Sequence, residues 1–527
     1  MPIKVAVIGA GSIGFTRRLM KDILSVPELQ DTCFAFHDIS KPNLEMITNL
    51  AQRDIEGNQV PAQITTSTNR KRALEGADYV LNLTRIGGLD AFALDIDIPL
   101  KYGIDQCVGD TLCAGGIMYG QRNIPQILAF CKDIGEVAKT DAVFLNYANP
   151  MAMNTWAGLQ YGNVNMVGLC HGVQGGHNQI TQVIESLVNK GKQPGDKGFK
   201  SITKKDVDIT CAGINHQTWY VKVQHQGKNW TGRLLEGFEQ HPKFSKTEKI
   251  RIDILRRFGY YSTESNGHLS EYVPWYRKRT GEIRKWIDVG DSWIHGETGG
   301  YLRVCTEGRN WFKTDYPNWI KAEPPEFTYE SRSEEHGSWI IEALETGRTY
   351  RGHFNVQNKG TIPNLPDDAI IEAPGYVDKN GINTPRVGDL PLGCASVCNA
   401  SISVQRMAVE AAVHGDVDLL KQAFMMDPLV GAVCDPNEIW QMVDEMLVAQ
   451  SQWLPQYRRH LSSARARLKS EKPLGTKKTQ GAARLKTRSI AQMQKTAAQS
   501  RKDAAASDKG NMTEPIKRPL NPRKRVK

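Results

Sequence analysis

The sequence predicts an α/β fold, in which a doubly wound parallel sheet domain is followed by an α+β domain. Three observations support this prediction: a series of short apolar runs, a glycine-rich turn after the first run, and a change of pattern near residue 200. The runs alternate with amphipathic segments, which is typical of strands buried on both faces of a parallel sheet. They lie at 3–8, 33–36, 79–83, 143–145 and 166–169.

The helices and the second domain follow from the same pattern. Amphipathic stretches at 43–53 and 123–137 predict helices between the strands. After residue 200, strand-like segments at 207–211 and 219–224 flank a short connection, and further helix-like stretches follow. These lie near 247–258, 334–346, 400–426 and 437–451. We therefore predict a sheet domain over 1–195 and a C-terminal α+β domain over 196–470.

The bulk composition limits the class of protein. Hydrophobic residues make up 40% and charged residues 24% of the 527 residues, which is ordinary for a soluble chain. We find no apolar stretch long enough to span a membrane and no signal-like N-terminal segment, so we expect a cytoplasmic protein. The ten cysteines are dispersed without any Cys-x-x-Cys pair, which predicts reduced thiols.

The net charge of +10 comes from the end of the chain. Residues 471–527 contain 16 Lys/Arg and 4 Asp/Glu, whereas the first 470 residues contain 51 basic and 53 acidic residues. This segment has few residues that could form a core, so we predict a disordered basic tail over 471–527. The near-neutral body argues against a nucleic-acid partner.

A glycine-rich turn follows the first apolar run. Gly9, Gly11 and Gly14 form a Gly-x-Gly-x-x-Gly pattern that includes Ser12, and the acidic Asp38 ends the next apolar run. Such glycines allow a tight turn and the close approach of a pyrophosphate, and the carboxylate can bind the adenosine ribose hydroxyls. The turn therefore predicts a Rossmann-like sheet domain that binds NAD rather than NADP.

Polar residues follow the later strands of the predicted sheet. Arg85 lies after the third apolar run, Asn146 and Asn149 follow the fourth, and Cys170 and His171 follow the fifth. Because ligands bind beyond the carboxyl ends of parallel strands, we expect these residues to face one crevice near the nicotinamide. Cysteine next to histidine there suggests a metal site or proton transfer.

A histidine, His216, lies in the connection between the two strand-like segments of the second domain. A lone histidine in such a place is more often structural than a ligand. Spacing alone cannot pair it with Cys170.

Taken together, these stretches resemble glycoside hydrolase family 4, especially its α-galactosidase and α-glucosidase-like branch. The resemblance spans most of residues 1–460 and does not extend to the tail. The matching stretches are 7–12, 76–80, 109–111, 146–152, 168–175, 213–216, 263–272 and 377–382.

The resemblance implies a role for each candidate residue. Cys170 and His216 would bind a divalent metal, typically manganese, and Asn149, with Asn146 beside it, would hold the sugar. His171 would be the general acid. Family members commonly form oligomers, so we expect a homodimer or homotetramer.

The resemblance also implies an unusual reaction. NAD would oxidise C3 of the sugar, the metal would assist loss of the C2 proton, and the glycosidic bond would break by elimination before water addition and re-reduction. The base is predicted to be Tyr272, with His268 and Glu264 as the next candidates. Arg85 is assigned to the cofactor.

Two departures from the family pattern concern the substrate. Gly172 stands where serine is usual, and Cys113 and Ala114 stand where Gly-Pro is expected. The Arg-rich pattern of phosphoglycosidases is missing after Arg85, which favours an unphosphorylated α-galactoside or α-glucoside. An acidic glycoside such as a glucuronide or galacturonide stays open.

Two alternatives belong to other classes of protein. A lactate/malate-type 2-hydroxyacid dehydrogenase would produce net NADH and require no metal. A redox-sensing or nucleic-acid-binding protein would depend on the basic tail.

Overall fold

The computed structural model describes residues 2–290, 292–477, 481–496 and 498–499. Its strands form one mixed sheet of thirteen strands. The strands are β1 (Lys4–Ile8), β2 (Cys33–His37), β3 (Gln63–Ser67), β4 (Tyr79–Asn82), β5 (Val143–Asn146), β6 (Asn165–Gly168), β7 (Val207–Ile214), β8 (Gln217–His225), β9 (Lys228–Asn229), β10 (Tyr261–Ser262), β11 (Tyr350–Gln357), β12 (Ile370–Asp378) and β13 (Gly381–Asn383).

Helices cover both faces of the sheet and build most of the second half of the chain. They are α1 (Ile13–Leu24), α2 (Lys41–Asn58), α3 (Arg70–Leu74), α4 (Gly88–Lys101), α5 (Cys113–Val137), α6 (Met151–Tyr161), α7 (Gly172–Asn189), α8 (Leu234–Gln240), α9 (Phe244–Thr247), α10 (Lys249–Phe258), α11 (Asn266–Tyr272), α12 (Thr280–Trp286), α13 (Gly300–Trp319), α14 (His336–Thr346), α15 (Leu392–His414), α16 (Val417–Met426), α17 (Pro428–Val433), α18 (Pro436–Ala449) and α19 (Leu461–Ser470).

The first six strands are parallel and run in the order β3-β2-β1-β4-β5-β6. Successive residues of β1 alternate between two apolar clusters. Val5 and Val7 pack in the cluster that includes residues of α1 and α2, whereas Ala6 and Ile8 pack in the cluster that includes residues of α3 and α5. Burial on both faces explains the uninterrupted apolar runs and confirms the Rossmann-like, doubly wound sheet. The apolar runs had not predicted β3, because this edge strand is polar and mostly exposed.

The second half extends the same sheet with antiparallel strands. β11 joins β6 at Asn355 and Gly168, and the order continues through β12, β7, β8 and β10. The predicted hairpin is present as β7 and β8 and is longer than expected. The boundary at 195 stays a prediction, since one sheet lies on both sides of it.

Each predicted helical stretch overlaps one or two helices of the structure, although the bounds differ and some helices were not predicted. The stretch 400–426 is divided between α15 and α16, because Gly415 adopts φ +68° and ends the first of them. The twenty-residue helix α13 was not predicted.

The beginning of the basic tail makes specific contacts with the body, which its composition did not predict. The Ala482 amide donates to Asp105 at 2.8 Å, and the Arg488 guanidinium pairs with Glu307 at 2.9 Å. Composition measures only how much apolar area a segment can bury, whereas these contacts depend on buried acidic partners far along the chain. Residues 501–527 lie outside the described residues.

No helix among the described residues combines the length and apolar character that crossing a membrane requires.

A buried ion pair joins α4 to α5. Arg122 binds both carboxylate oxygens of Asp95, at 2.8 and 2.6 Å, and both side chains are fully buried. Gln450, which follows α18, donates to the same carboxylate at 2.9 Å. A buried charge that loses its partner keeps its desolvation cost, so the pair constrains how these three elements pack.

We expect Arg122→Met to lower the free energy of unfolding by about 3–5 kcal/mol, because Asp95 would keep a buried, unpaired charge. Denaturant unfolding followed by circular dichroism measures this loss. The double variant Arg122→Met with Asp95→Leu is the control and should recover most of the stability. A single variant as stable as the unaltered protein would contradict this account of the pair.

Candidate functional site

The glycine turn after β1 has the backbone conformation of a dinucleotide-binding turn. Gly9 adopts φ +86°, and a Cβ at Gly11 would lie 2.6 Å from the Asp38 carboxylate. That carboxylate accepts hydrogen bonds from the amides of Gly11 at 2.7 Å and Ser40 at 2.8 Å. Its remaining lone pairs are available to hydroxyl donors.

The rest of the turn leaves room for a ligand at the start of α1. Ser12 is the N-cap, and its side chain makes no capping hydrogen bond. A Cβ at Gly14 would meet no atom within 4 Å. Ile39, directly after Asp38, is 91% exposed and offers an apolar surface beside the carboxylate. A helix N-terminus with free space suits a pyrophosphate, so these residues fit NAD.

Arg85 lies in a box of aromatic rings. Its guanidinium carbon is 4.3 Å from the ring centre of Phe92, 4.7 Å from Tyr119 and 5.3 Å from Tyr301. Its Nη1 is buried and makes no hydrogen bond within the described part of the chain. Stacking holds the cation in place and leaves this nitrogen available to an anionic ligand.

The two asparagines after β5 have different surroundings. Asn146 is fully buried, accepts from Asn82 at 2.8 Å and donates to the carbonyl of Ala148 at 3.0 Å, so it supports the turn. Asn149 donates from Nδ2 to Asp110 at 2.8 Å. Their roles as sugar ligands stay predictions, and the geometry favours Asn149.

Cys170, His216 and Glu264 converge although they are far apart in the chain. Their ligand atoms lie within 4.8 Å of one another. Oε2 of Glu264 is 3.7 Å from the Cys170 sulfur and 3.8 Å from Nε2 of His216. Thiolate, imidazole and carboxylate together form a donor set that suits a divalent transition metal. The structure thus pairs Cys170 with His216, which sequence spacing could not do.

The protonation of these groups is set by burial. Burial lowers the pKa of His216 to about 4, so the ring is neutral and can donate a lone pair. Burial, and then the Glu264 charge, raise the pKa of the Cys170 thiol well above 9. A bound cation reverses that preference, because thiolates are stabilised by the charge of the ion.

A hydroxyl orients the His216 ring. Thr111 Oγ1 donates to Asp110 at 2.8 Å and lies 2.9 Å from Nδ1 of His216. Since that hydroxyl proton points to the carboxylate, the oxygen accepts from Nδ1–H of the ring. The lone pair is then on Nε2, the nitrogen that faces Glu264.

Asp110 is the common partner of several candidate residues. Its buried carboxylate accepts from Asn149 and Thr111, and Nε2 of His268 lies 3.9 Å from it. The other ring nitrogen of His268 is hydrogen-bonded to Ser265 Oγ at 2.8 Å. The sequence had not singled out Asp110 or Thr111, although both lie in the matching stretch 109–111.

His171 and Tyr272 occupy opposite environments. His171 lies before α7 with its side chain 68% exposed, and its Nδ1 is 3.9 Å from a carboxylate oxygen of Glu335. Tyr272 is only 1% exposed, and its hydroxyl has no hydrogen-bond partner within the described residues. Burial, with the nearby Asp110 charge next, raises the pKa of Tyr272 well above 10.

The loop that carries Asp110 is held by a carboxylate that sequence reasoning missed. Glu271 accepts from the amides of Cys107 at 2.6 Å, Val108 at 3.0 Å and Gly109 at 2.8 Å. Burial raises the pKa of Glu271 to about 7. No local pattern distinguishes this residue from others in α11, because its partners lie more than 160 positions earlier.

Comparisons with known proteins identify the family of the chain. A model of the family 4 glycosyl hydrolases matches residues 4–186, and a model of the family 4 glycosyl hydrolase C-terminal domain matches residues 211–430. An alpha-galactosidase of Rhizobium meliloti (strain 1021) is 58% identical over 488 residues, covering 92% of this chain and 96% of the relative. An alpha-galactosidase of Bacillus subtilis (strain 168) is 32% identical over 470 residues, covering 86% of this chain and 100% of the relative.

Solved structures share the fold. The 6-phospho-beta glucosidase of Thermotoga maritima, crystallised with manganese, NAD+ and glucose-6-phosphate, has a TM-score of 0.66 at 22% identity. The match covers 86% of this chain and 99% of that structure. The resemblance found in the sequence is confirmed: the chain belongs to glycosyl hydrolase family 4.

Proposed function

We propose that this protein hydrolyses an unphosphorylated α-galactoside, with NAD and a divalent metal, preferably manganese, as cofactors. The observation that carries the proposal is the convergence of Cys170, His216 and Glu264 in a fold that also carries the NAD-type turn. The α-galactosidases named above, similar along most of the chain, support the choice of sugar.

The chemistry of the cofactors defines what the side chains must do. When bound, NAD would accept and return a hydride at C3 of the sugar, and the metal would help to acidify the proton at C2. A base then has to remove that proton, and an acid has to protonate the leaving oxygen as the C1–O bond breaks.

His171 is our candidate for the acid, and Asn149 and Asp110 are candidates for binding the sugar hydroxyls. The exposed ring of His171 can exchange protons with solvent after each turnover. Asn149 keeps its side-chain oxygen Oδ1 available as an acceptor, since its side-chain nitrogen Nδ2 donates to Asp110.

Tyr272 remains the first candidate for the base. Its hydroxyl is unpartnered, whereas His268 already uses one nitrogen to bind Ser265. Because burial raises its pKa, Tyr272 needs positive charge nearby before it can lose its proton.

Arg85 favours a second candidate substrate, an α-galacturonide. Its buried Nη1 without a partner would suit a sugar carboxylate, and equally an anionic group of the cofactor. If the substrate is this acidic sugar, we expect Arg85→Gln to lower kcat/KM for the galacturonide much more than for the neutral galactoside.

The proposal is tested with a panel of 4-nitrophenyl glycosides, including the α-galactoside, α-glucoside and α-galacturonide. We expect the α-galactoside to be cleaved fastest, only with both NAD and Mn²⁺, and without net NADH. A preference for the α-galacturonide would select the second candidate. Cleavage that needs no NAD, or steady NADH production from a hydroxy acid, would contradict the proposed reaction.

We expect Cys170→Ser to weaken Mn²⁺ binding by more than the roughly 10–100-fold that the loss of an outer hydrogen-bond partner costs, because a neutral hydroxyl replaces an anionic thiolate ligand. Titration calorimetry with Mn²⁺ measures this. Cys131→Ser is the matched control, since Cys131 is also buried but packs in an apolar cluster that contains none of the candidate ligands. Equal affinities in the two variants would exclude Cys170 as a ligand.

For the base, we expect Tyr272→Phe to slow exchange of the C2 proton with deuterated solvent by about 10²–10⁴-fold. NMR of the substrate measures the exchange. His268→Asn is the comparison and should slow it less. The opposite ranking would assign the base to His268.

A further inference from the structure

Gly172 explains why Glu264 can approach the cysteine–histidine pair. A Cβ at position 172 would overlap the Glu264 carboxylate: it would lie 2.8 Å from Cδ and 3.4 Å from Oε1, with Oε2 closer still. All three of the nearest atoms that such a Cβ would meet belong to Glu264. The carboxylate therefore occupies the space that a side chain at 172 would need.

The backbone gives no other reason for glycine here. Gly172 is the first residue of α7, and its φ is outside the left-handed region that favours glycine. A side chain at this position is compatible with the helical backbone, because residues other than glycine adopt this conformation readily. The departure from the usual serine is accounted for by the position of Glu264.

The placement of Glu264 is that of a ligand. Its side chain is only 10% exposed, and Oε2 lies 3.7 Å from the sulfur of Cys170 and 3.8 Å from Nε2 of His216. Among the described residues its close polar contacts are with these two groups, and no arginine or lysine lies within ion-pair distance of it. A carboxylate buried in this way is stabilised by a cation held between the same three atoms.

We propose that Glu264 is a third protein ligand of the metal, and that glycine at position 172 is the condition for it. This proposal rests on the metal dependence proposed above. With three protein ligands, the ion is held before the sugar binds, and coordination positions remain for the substrate.

The test measures binding of Mn²⁺ alone, without NAD or sugar, from the electron paramagnetic resonance signal of the free ion. We expect Glu264→Gln to weaken binding by about 100-fold or more, exceeding the loss of an outer partner. Glu335→Gln is the matched control, because Glu335 is also buried but pairs with His171 instead. It should leave the affinity unchanged.

A double-mutant cycle tests the role of Gly172. Gly172→Ala should weaken Mn²⁺ binding in the unaltered background, because the methyl group displaces the carboxylate. In the Glu264→Ala background the same substitution should have no further effect, since its space is then empty. Thermal melting of the four proteins shows whether all are folded, and the cobalt–thiolate absorption of the Co²⁺ forms shows whether Cys170 still binds.

The outcomes separate this proposal from the proposed function. If the unaltered protein binds no Mn²⁺, the metal dependence itself is wrong. If it binds Mn²⁺ and Glu264→Gln binds it equally well, Glu264 is not a ligand and this proposal is overturned. Equal losses from Gly172→Ala in both backgrounds would show that glycine is needed for another reason.

Discussion

The candidate site depends on one buried carboxylate, that of Glu271, which accepts hydrogen bonds from the backbone. By accepting three backbone amides of the loop 107–109, it fixes the position of Asp110 and Thr111, the next residues along the chain. Buried amides without acceptors are costly, so the loop has one favourable conformation. The loop comes from the first half of the chain and Glu271 from the second, so this contact also joins the two halves.

Hydrogen bonds connect that loop to His216, one of the three candidate metal ligands. Asp110 receives the proton of Thr111, and Thr111 in turn determines which nitrogen of His216 carries hydrogen. The neutral ring is maintained by burial rather than by a partner charge. Preorganisation of this kind lets a site bind a ligand without reorganising its own side chains.

The sequence determined the fold and the cofactor-type turn. Strands such as β1 and β5 are uninterrupted apolar runs because both faces of the sheet are covered, and Gly11 is small because Asp38 lies against it. The residues at the ends of strands, Cys170 among them, were predictable because parallel strands end at one edge. These features can be predicted because each depends on a pattern of residues that lie close together in the sequence.

Only the tertiary structure decided which residues meet. His216 lies in a hairpin, Glu264 precedes α11, and both reach Cys170 at the end of β6. No spacing rule connects them, because their separation depends on how the antiparallel strands extend the parallel sheet. The same holds for Gly172: the sequence shows that its side chain is missing, and the structure shows that the Glu264 carboxylate fills the space. Proximity between distant segments is a property of packing, so it was decided by the fold.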